Sequence, residues 1–366
     1  MAVSAVSEPA LLAALSRVVD PNTGKDFVST KALRNLSMAG ADVAFDVELG
    51  YPAKSLVPAL RQQLIDAARS VPGVGNVSVN VQTRVTSHAV QRGVKLMPGV
   101  KNVIAVASGK GGVGKSTTAV NLALALAAEG ASVGLLDADI YGPRQPMMTG
   151  TSGKPETLDG KLMEPKVNHG IQVNSIGFLV SDEQAMVWRG PMASQALEQL
   201  ITQTNWKDLD YLIVDMPPGT GDIQLTLAQK VPLTGAVIVT TPQDIALIDA
   251  KKGIKMFEKV GVPILGIVEN MAVHVCSACG HIEHIFGVDG GRKMAEQYGM
   301  DWLGALPLSM DIRLQADSGK PTVVAAPDSE AARLYGEIAR KVAVKVALKA
   351  KDFSAKFPTI TISKDT

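Results

Sequence analysis

A glycine-rich segment with two lysines has the residue types and spacing needed to bind phosphate. Residues 109–117 read Gly-Lys-Gly-Gly-Val-Gly-Lys-Ser-Thr and follow the apolar run 103–107. Glycines let backbone N–H groups approach phosphate oxygens, and a helix that begins at such a loop adds the positive end of its dipole. The spacing fits the phosphate-binding loop G-x-x-x-x-G-K-S/T. The sequence therefore predicts a nucleotide site formed by Gly109, Lys110, Gly111, Gly112, Val113, Gly114, Lys115, Ser116 and Thr117.

The two lysines of this loop have different expected roles. In such a loop the lysine before the hydroxyl residue, here Lys115, contacts the β- and γ-phosphates, and the Ser116 hydroxyl binds Mg²⁺. Lys110 lies too close to the turn to fold back easily on the nucleotide of its own chain. We therefore expect Lys110 to reach a nucleotide held by a neighbouring subunit, which predicts a homodimer.

Three aspartates follow apolar runs that have the pattern of buried strands. Asp137 and Asp139 come after residues 132–136, and Asp215 comes after residues 211–214. Ligands of open α/β sheets bind at the carboxyl ends of the strands. We expect Asp137 to orient Mg²⁺ through its waters, Asp139 to position the attacking water, and Asp215 to bind Mg²⁺ as a Walker B type residue. A helix-capping role is the alternative for any one of these aspartates.

The size and charge of the chain limit the classes of partner. A chain of 366 residues suits about two domains. The net charge of +1 gives no sign of nucleic-acid binding. The N-terminus lacks the charged region and apolar core of a secretory signal, and no apolar run approaches the roughly 18 residues of a membrane span. We expect a cytoplasmic protein with neither nucleic acid nor membrane as a partner.

The first part of the chain has the pattern of a small α+β domain. A helical run at residues 11–19 stops before Pro21, because the residue before a proline disfavours helix. Residues 43–49 and 77–81 alternate apolar and polar side chains as half-buried strands do, and residues 56–68 have helical spacing. These patterns predict an αββαβ domain over residues 1–86 with a docking or assembly role.

The remainder of the chain has a linker, a larger domain and a tail. Residues 87–101 have mixed polarity, and we expect a loose linker that lets the small domain move. Residues 102–350 alternate strands and helices, which predicts a mostly parallel sheet with helices on both faces. We expect residues 351–366 to form a loose tail.

Four further segments, taken together with the loop, resemble one family. They read Pro-Gly-Val-Lys at 98–101, Leu-Asp-Ala-Asp-Ile-Tyr-Gly-Pro at 136–143, Asp-Met-Pro-Pro-Gly-Thr-Gly-Asp at 215–222 and Glu-Asn-Met at 269–271. The loop is similar to the deviant Walker A loop of the MinD and nitrogenase iron protein class, in which the extra lysine acts across an ATP-sandwiched homodimer. The chain resembles the Mrp/ApbC family of iron-sulfur cluster carrier ATPases, and its first domain resembles the iron-sulfur assembly domain often fused ahead of this ATPase.

This resemblance implies a MinD-like P-loop NTPase fold that uses ATP, Mg²⁺ and a [4Fe-4S] cluster. It implies an ATP-hydrolysing homodimer, with apo iron-sulfur proteins and a cluster-assembly scaffold as partners. The chain departs from the family at two places. Arg144 stands where the family usually has serine, and Ala53-Lys54 stands where many relatives have cysteine followed by proline. We therefore expect the small domain to dock partners and to supply no cluster ligand.

A pair of cysteines supplies the second kind of chemistry. Cys276 and Cys279 are all the cysteines of the chain, so no disulfide framework is available. A [4Fe-4S] cluster normally takes four thiolates, and a twofold dimer would bring together two from each chain. Two alternatives remain open, which are a zinc site that includes His281 and His284 and a thiol-disulfide pair.

The resemblance also implies a role for residues beside the nucleotide. Asn270 would contact the adenine, and Pro307 would form part of the base pocket, with a strand-ending turn as the alternative for Asn270. Two other functions stay possible at this point. One is a spatial-positioning ATPase that binds membrane or DNA, and the other is an electron-transfer ATPase.

Overall fold

The structure of the protein is a computed structural model that describes residues 6–88, 90–91, 94–157, 160–179 and 190–349. The tail predicted at residues 351–366 lies outside the described residues. Within these residues, no helix has both the length and the apolar character that crossing a bilayer requires.

The first domain has the helix and strand order predicted from its sequence. Its elements are α1 (Glu8–Leu15), β1 (Leu33–Ala39), β2 (Asp42–Leu49), α2 (Val57–Arg69) and β3 (Val77–Thr83). The central strand β2 is antiparallel to β1 and parallel to β3. Its alternate side chains Val43, Phe45, Val47 and Leu49 are buried in one apolar cluster with Leu64 of α2. The period-two pattern therefore marks the face of the sheet that α2 covers.

The second domain contains a sheet of eight strands. Its strands in chain order are β4 (Val100–Ala107), β5 (Val133–Asp137), β6 (Lys166–Asn168), β7 (Ile171–Ser175), β8 (Leu209–Asp215), β9 (Gly235–Thr240), β10 (Ile264–Glu269) and β13 (Trp302–Ala305). A short hairpin of β11 (His274–Val275) and β12 (Ile282–Glu283) comes between β10 and β13 in the chain. The spatial order is β13-β10-β9-β4-β8-β5-β7-β6. All neighbours are parallel except β6, which runs antiparallel to β7 at the edge. The carboxyl ends of β4, β5 and β8 therefore lie side by side.

Helices cover both faces of this sheet. They are α3 (Lys115–Ala128), α4 (Gln145–Thr149), α5 (Gly190–Thr202), α6 (Asp222–Lys230), α7 (Asp244–Lys259), α8 (Gly290–Gln297), α9 (Met310–Asp317), α10 (Thr322–Ala325) and α11 (Glu330–Ala347). Ile104 and Val106 of β4 pack in the cluster that includes α3 and α11. Val103 and Ala105 of the same strand pack in the cluster that includes α6 and α7. A strand buried on both faces explains the continuous apolar run that precedes the glycine-rich loop.

The small domain is bound to the far end of the helix that begins at the loop. Glu129 directly follows α3 and is only 6% exposed. Its carboxylate accepts hydrogen bonds from the backbone N–H and the hydroxyl of Ser55, at 2.9 and 2.7 Å. Arg340 of α11 donates to the same carboxylate. The two domains therefore share a buried, charged contact.

Two residues of the segment predicted as a linker contact the larger domain. His88 is 1% exposed, and its Nδ1 lies 3.0 Å from Asn102 Oδ1. The Gln91 side chain donates to the carbonyl of Ala228 at 2.8 Å. Composition does not reveal such contacts, and the predicted mobility of residues 87–101 stays a prediction.

Replacing Glu129 with alanine is expected to loosen the contact between the domains. The change leaves the Arg340 guanidinium and the Ser55 donors without their acceptor, which should lower the free energy of unfolding by about 3 kcal/mol. Thermal denaturation measures this loss, and trypsin should cleave residues 87–101 faster in the variant. Glu330→Ala, which changes an exposed glutamate of α11, is the matched control. Equal melting temperatures and cleavage rates in native protein and variant would contradict this account.

Candidate functional site

The glycine-rich loop lies between β4 and α3, and two of its glycines are required by close packing. A Cβ on Gly109 would lie 2.1 Å from the backbone of Asp249 in α7. Gly114 has a φ of 80°, and a Cβ there would lie 2.1 Å from the side-chain nitrogen of Asn270. That nitrogen donates to the carbonyl of Val113 at 2.9 Å. The loop is therefore held by α7 on one side and by the end of β10 on the other.

Three groups predicted to bind phosphate and magnesium lie in direct contact. The Lys115 ammonium contacts the Asp215 carboxylate and lies 3.3 Å from the Ser116 hydroxyl. The Gln145 side chain donates to Asp215 Oδ2 at 2.8 Å and to the Ser116 carbonyl at 3.0 Å. Gln145 is fully buried and was missed by the sequence analysis. The phosphate-loop motif does not include Gln145, and its contacts with Ser116 and Asp215 join residues that are distant in sequence.

Asp137 is fully buried and holds the segment that follows it. Its Oδ2 accepts the backbone N–H groups of Arg144 and Gln145 at 2.9 and 3.0 Å and the hydroxyl of Ser175 at 3.1 Å. Burial, and after it the negative charge of Asp215, raise the pKa of Asp137 above its ordinary value. The predicted role of Asp137 toward Mg²⁺ stays a prediction, and its observed contacts position the start of α4.

Asp139 has a different environment from Asp137. It is 6% exposed, and its Oδ1 has no hydrogen-bond partner among the residues that the structure describes. Burial raises the pKa of Asp139, and the positive charge of Lys115 opposes that rise. Buried carboxylate oxygens are rarely left without a hydrogen-bond partner. This oxygen is therefore suited to accept a hydrogen bond from a water molecule that lies next to a bound nucleotide or metal ion. Ser116 and Asp215, which both contact Lys115, offer the oxygen ligands that Mg²⁺ prefers.

A cavity of about 90 Å³ lies over the loop. Its walls include four of the predicted site residues, Lys110, Lys115, Ser116 and Asp139, and also Arg144. Three cations and one carboxylate line it, so the cavity is positively charged and favours an anion.

Several predicted site residues do not line this cavity, among them Asp137, Asp215, Asn270 and Pro307. Asp137 and Asp215 are buried behind it. Pro307 follows β13, where the N–H of Leu306 donates to the carbonyl of Glu269, one residue before Asn270. The two residues of the predicted base pocket thus follow adjacent strands, β10 and β13, and their contact with adenine stays a prediction.

The cysteines lie at the tip of the β11–β12 hairpin. The Cys276 N–H donates to the carbonyl of His281 at 2.9 Å, and the Gly280 N–H donates to the carbonyl of Cys276 at 2.8 Å. Cys276 is half-buried and Cys279 is exposed. The backbone N–H groups of Ala278 and Cys279 stabilise the Cys276 thiolate and lower its pKa. The turn therefore presents two thiols, one exposed and one half-buried with a lowered pKa.

The described residues do not supply a third ligand for these cysteines. No group of three or more His, Cys, Asp or Glu side chains in the described part of the chain is arranged to hold a metal. His284 Nδ1 lies 3.1 Å from the carbonyl of Ala272 instead. A zinc site built from one chain with His281 and His284 is therefore not supported.

Comparison with known proteins identifies the family. The model of a family described as NUBPL iron-transfer P-loop NTPase matches residues 99–343, and that of iron-sulfur cluster assembly proteins matches residues 8–81. The chain belongs to the NUBPL iron-transfer P-loop NTPase family. The iron-sulfur cluster carrier protein of Escherichia coli (strain K12) is 52% identical over 336 residues, which are 91% of this chain and 90% of that protein.

Solved structures show that this NUBPL-family chain has a known fold. A nucleotide-binding protein from Archaeoglobus fulgidus in complex with ADP is 36% identical and has a TM-score of 0.56, covering 63% of this chain and 90% of that chain. The cell division ATPase MinD of Pyrococcus furiosus is 22% identical with a TM-score of 0.51, covering 66% and 98%, and shows the fold alone. The predicted resemblance to iron-sulfur cluster carrier ATPases and the predicted MinD-like fold are confirmed.

Proposed function

We propose that two copies of this chain bind one labile [4Fe-4S] cluster between them and deliver it to apo-proteins, and that delivery requires ATP binding and hydrolysis. The observation that carries this proposal is the cysteine hairpin. Each chain presents two thiols at an exposed turn, and the described residues add no further ligand. Four thiolates, two from each chain, would complete the usual ligand set of such a cluster.

The surface around the cysteines supports a shared site. Val275 and Ile282, which flank them on β11 and β12, are 49% and 58% exposed, and Ile285 is 53% exposed. Neighbouring exposed apolar side chains are typical of surfaces that another protein covers. Contact between two hairpins would bury these side chains and bring the four thiols together. The predicted contact of Lys110 with the partner's nucleotide would need the same homodimer.

The chemistry at the loop is hydrolysis of the γ-phosphate of ATP. The loop N–H groups and Lys115 would bind the phosphates, and the unpaired Oδ1 of Asp139 would accept a hydrogen bond from the attacking water. Bound Mg²⁺ would neutralise phosphate charge, held by Ser116 and Asp215 with Asp137 behind them. For the phosphate to bind, the Lys115 ammonium would exchange part of its contact with Asp215 for phosphate oxygens.

One short segment would connect the two sites. Asn270 contacts the loop at Val113, and Cys276 follows six residues later in the same chain. We infer that a change in the loop upon hydrolysis is passed through this segment to the hairpin. Loss of the γ-phosphate would change the charge next to Lys115, and this change would alter how the two hairpins hold the cluster.

Cluster transfer can be tested directly with a purified acceptor. Protein loaded without oxygen is mixed with an apo-dehydratase that needs a [4Fe-4S] cluster, in the presence of an iron chelator that captures free iron. We expect the dehydratase to regain activity despite the chelator. Recovery that the chelator prevents would mean that iron is released and not transferred, and it would contradict the carrier function.

A further inference from the structure

Arg144 is a cation in the phosphate cavity that the proposed function has not used. It lines the cavity together with Lys110, Lys115 and Asp139. Lys115 is paired with Asp215, whereas none of the ion pairs among the described residues involves Arg144. A guanidinium that faces an anion-binding cavity without a carboxylate partner can contact a bound anion.

The backbone at Arg144 is fixed to the site at several points. Its N–H donates to the buried Asp137 carboxylate at 2.9 Å. The next residue, Gln145, donates from its backbone to the same oxygen and from its side chain to the Ser116 carbonyl and to Asp215. Arg144 is therefore attached to the machinery that is proposed to bind phosphate and magnesium, although its side chain is exposed.

The position of Arg144 relative to Asp139 indicates which phosphate it would reach. Both residues line the cavity, and a turn in which the Gly142 N–H donates to the Asp139 carbonyl at 3.3 Å separates them in sequence. Because Asp139 is proposed to position the water that attacks the γ-phosphate, Arg144 lies at the same end of the cavity.

We propose that Arg144 contacts the terminal phosphate of ATP bound in its own chain and so favours binding of ATP over ADP. This inference rests on the proposed ATPase function and adds a residue that determines which nucleotide is retained. A guanidinium can donate two parallel hydrogen bonds to phosphate oxygens, which a serine at this position cannot do. The family residue serine would leave the cavity with one fewer positive charge, so this chain should discriminate more strongly between the two nucleotides.

Binding measurements on isolated, cluster-free protein test the proposal. A non-hydrolysable ATP analogue and ADP are titrated into native protein, Arg144→Ser and Arg144→Lys in the presence of Mg²⁺. Arg144→Ser should weaken binding of the analogue by about tenfold and leave ADP binding nearly unchanged, because a hydrogen bond to a charged group contributes about 1.5 kcal/mol or more. Arg144→Lys keeps the charge and should restore part of the lost affinity.

Two results would overturn the role of Arg144 while leaving the ATPase proposal intact. In the first, Arg144→Ser binds the ATP analogue as tightly as native protein does. In the second, Arg144→Ser binds the analogue and ADP more weakly by the same factor, which would indicate only a structural effect on the loop. Native protein that binds neither nucleotide would overturn both this inference and the proposed ATPase function. If native protein binds the ATP analogue more tightly than ADP but delivers no cluster, only the proposed carrier function would be contradicted.

Discussion

Lys115→Ala is expected to abolish ATP hydrolysis and the maturation of client proteins in cells, while the isolated protein still binds a cluster. Lys115 lines the phosphate cavity and contacts Asp215 and Ser116, whereas the cysteine hairpin does not line that cavity. Loss of a positive contact to the phosphates should reduce the rate of hydrolysis by about 100-fold or more. Phosphate release, client activity in cells, and iron content after reconstitution measure the three effects.

A second substitution separates the chemical effect of Lys115 from its effect on folding. Lys115→Ala leaves the fully buried Asp215 carboxylate without its cation, and this can destabilise the protein by about 3 kcal/mol or more. Lys115→Gln keeps a hydrogen-bond donor for Asp215 and removes the charge. Lys101→Ala, which changes an exposed lysine of β4 paired with Asp210, is the matched control and should hydrolyse ATP normally. Loss of cluster binding in folded Lys115→Gln would contradict the separation of the two sites.

Cys276→Ser is expected to have the opposite effect, with loss of iron and sulfide from the reconstituted protein and retention of ATP hydrolysis. The Cys276 thiolate is stabilised by the N–H groups of Ala278 and Cys279. A serine hydroxyl is far harder to deprotonate than a thiol, so it does not replace a thiolate ligand of iron. The visible absorption of the cluster and chemical iron analysis measure the loss, and phosphate release measures the retained activity.

Variants at neighbouring positions of the hairpin test whether this effect is specific. Cys279→Ser should lose the cluster to the same extent, because both thiols are needed. Ser277→Ala, which changes a residue between them, should keep it. Normal cluster content in Cys276→Ser would show that the cluster is bound elsewhere and would refute the bridging site.

Much of the nucleotide site could be predicted from sequence because its residues are close together in the chain. The loop needs glycines at fixed spacing, and its strand and helix have local apolar patterns. Asp137, Asp139 and Asp215 could be placed because each follows a recognisable strand, and parallel strands end at one edge of the sheet. The strands β2 and β3 and the helices α1 and α2 of the first domain were predictable for the same reason, since alternation and helical spacing are local patterns. No such pattern marks β1, whose burial does not alternate.

The contacts that the sequence analysis missed join distant residues. Gln145 contacts Asp215 across 70 positions, and Arg340 contacts Glu129 across 211 positions. Glutamine, arginine and glutamate are common on surfaces, so their types alone do not reveal a buried contact. Gln91 of the predicted linker likewise contacts Ala228 across 137 positions.

The most direct test of the shared cluster is its stoichiometry. Protein reconstituted without oxygen is analysed for iron and acid-labile sulfide per chain, and its mass in solution is measured in the same sample. A dimer with about two irons and two sulfides per chain would mean one [4Fe-4S] cluster held by two chains, as we predict. A monomer with about four irons per chain, or a protein that binds zinc in place of iron, would contradict the shared site.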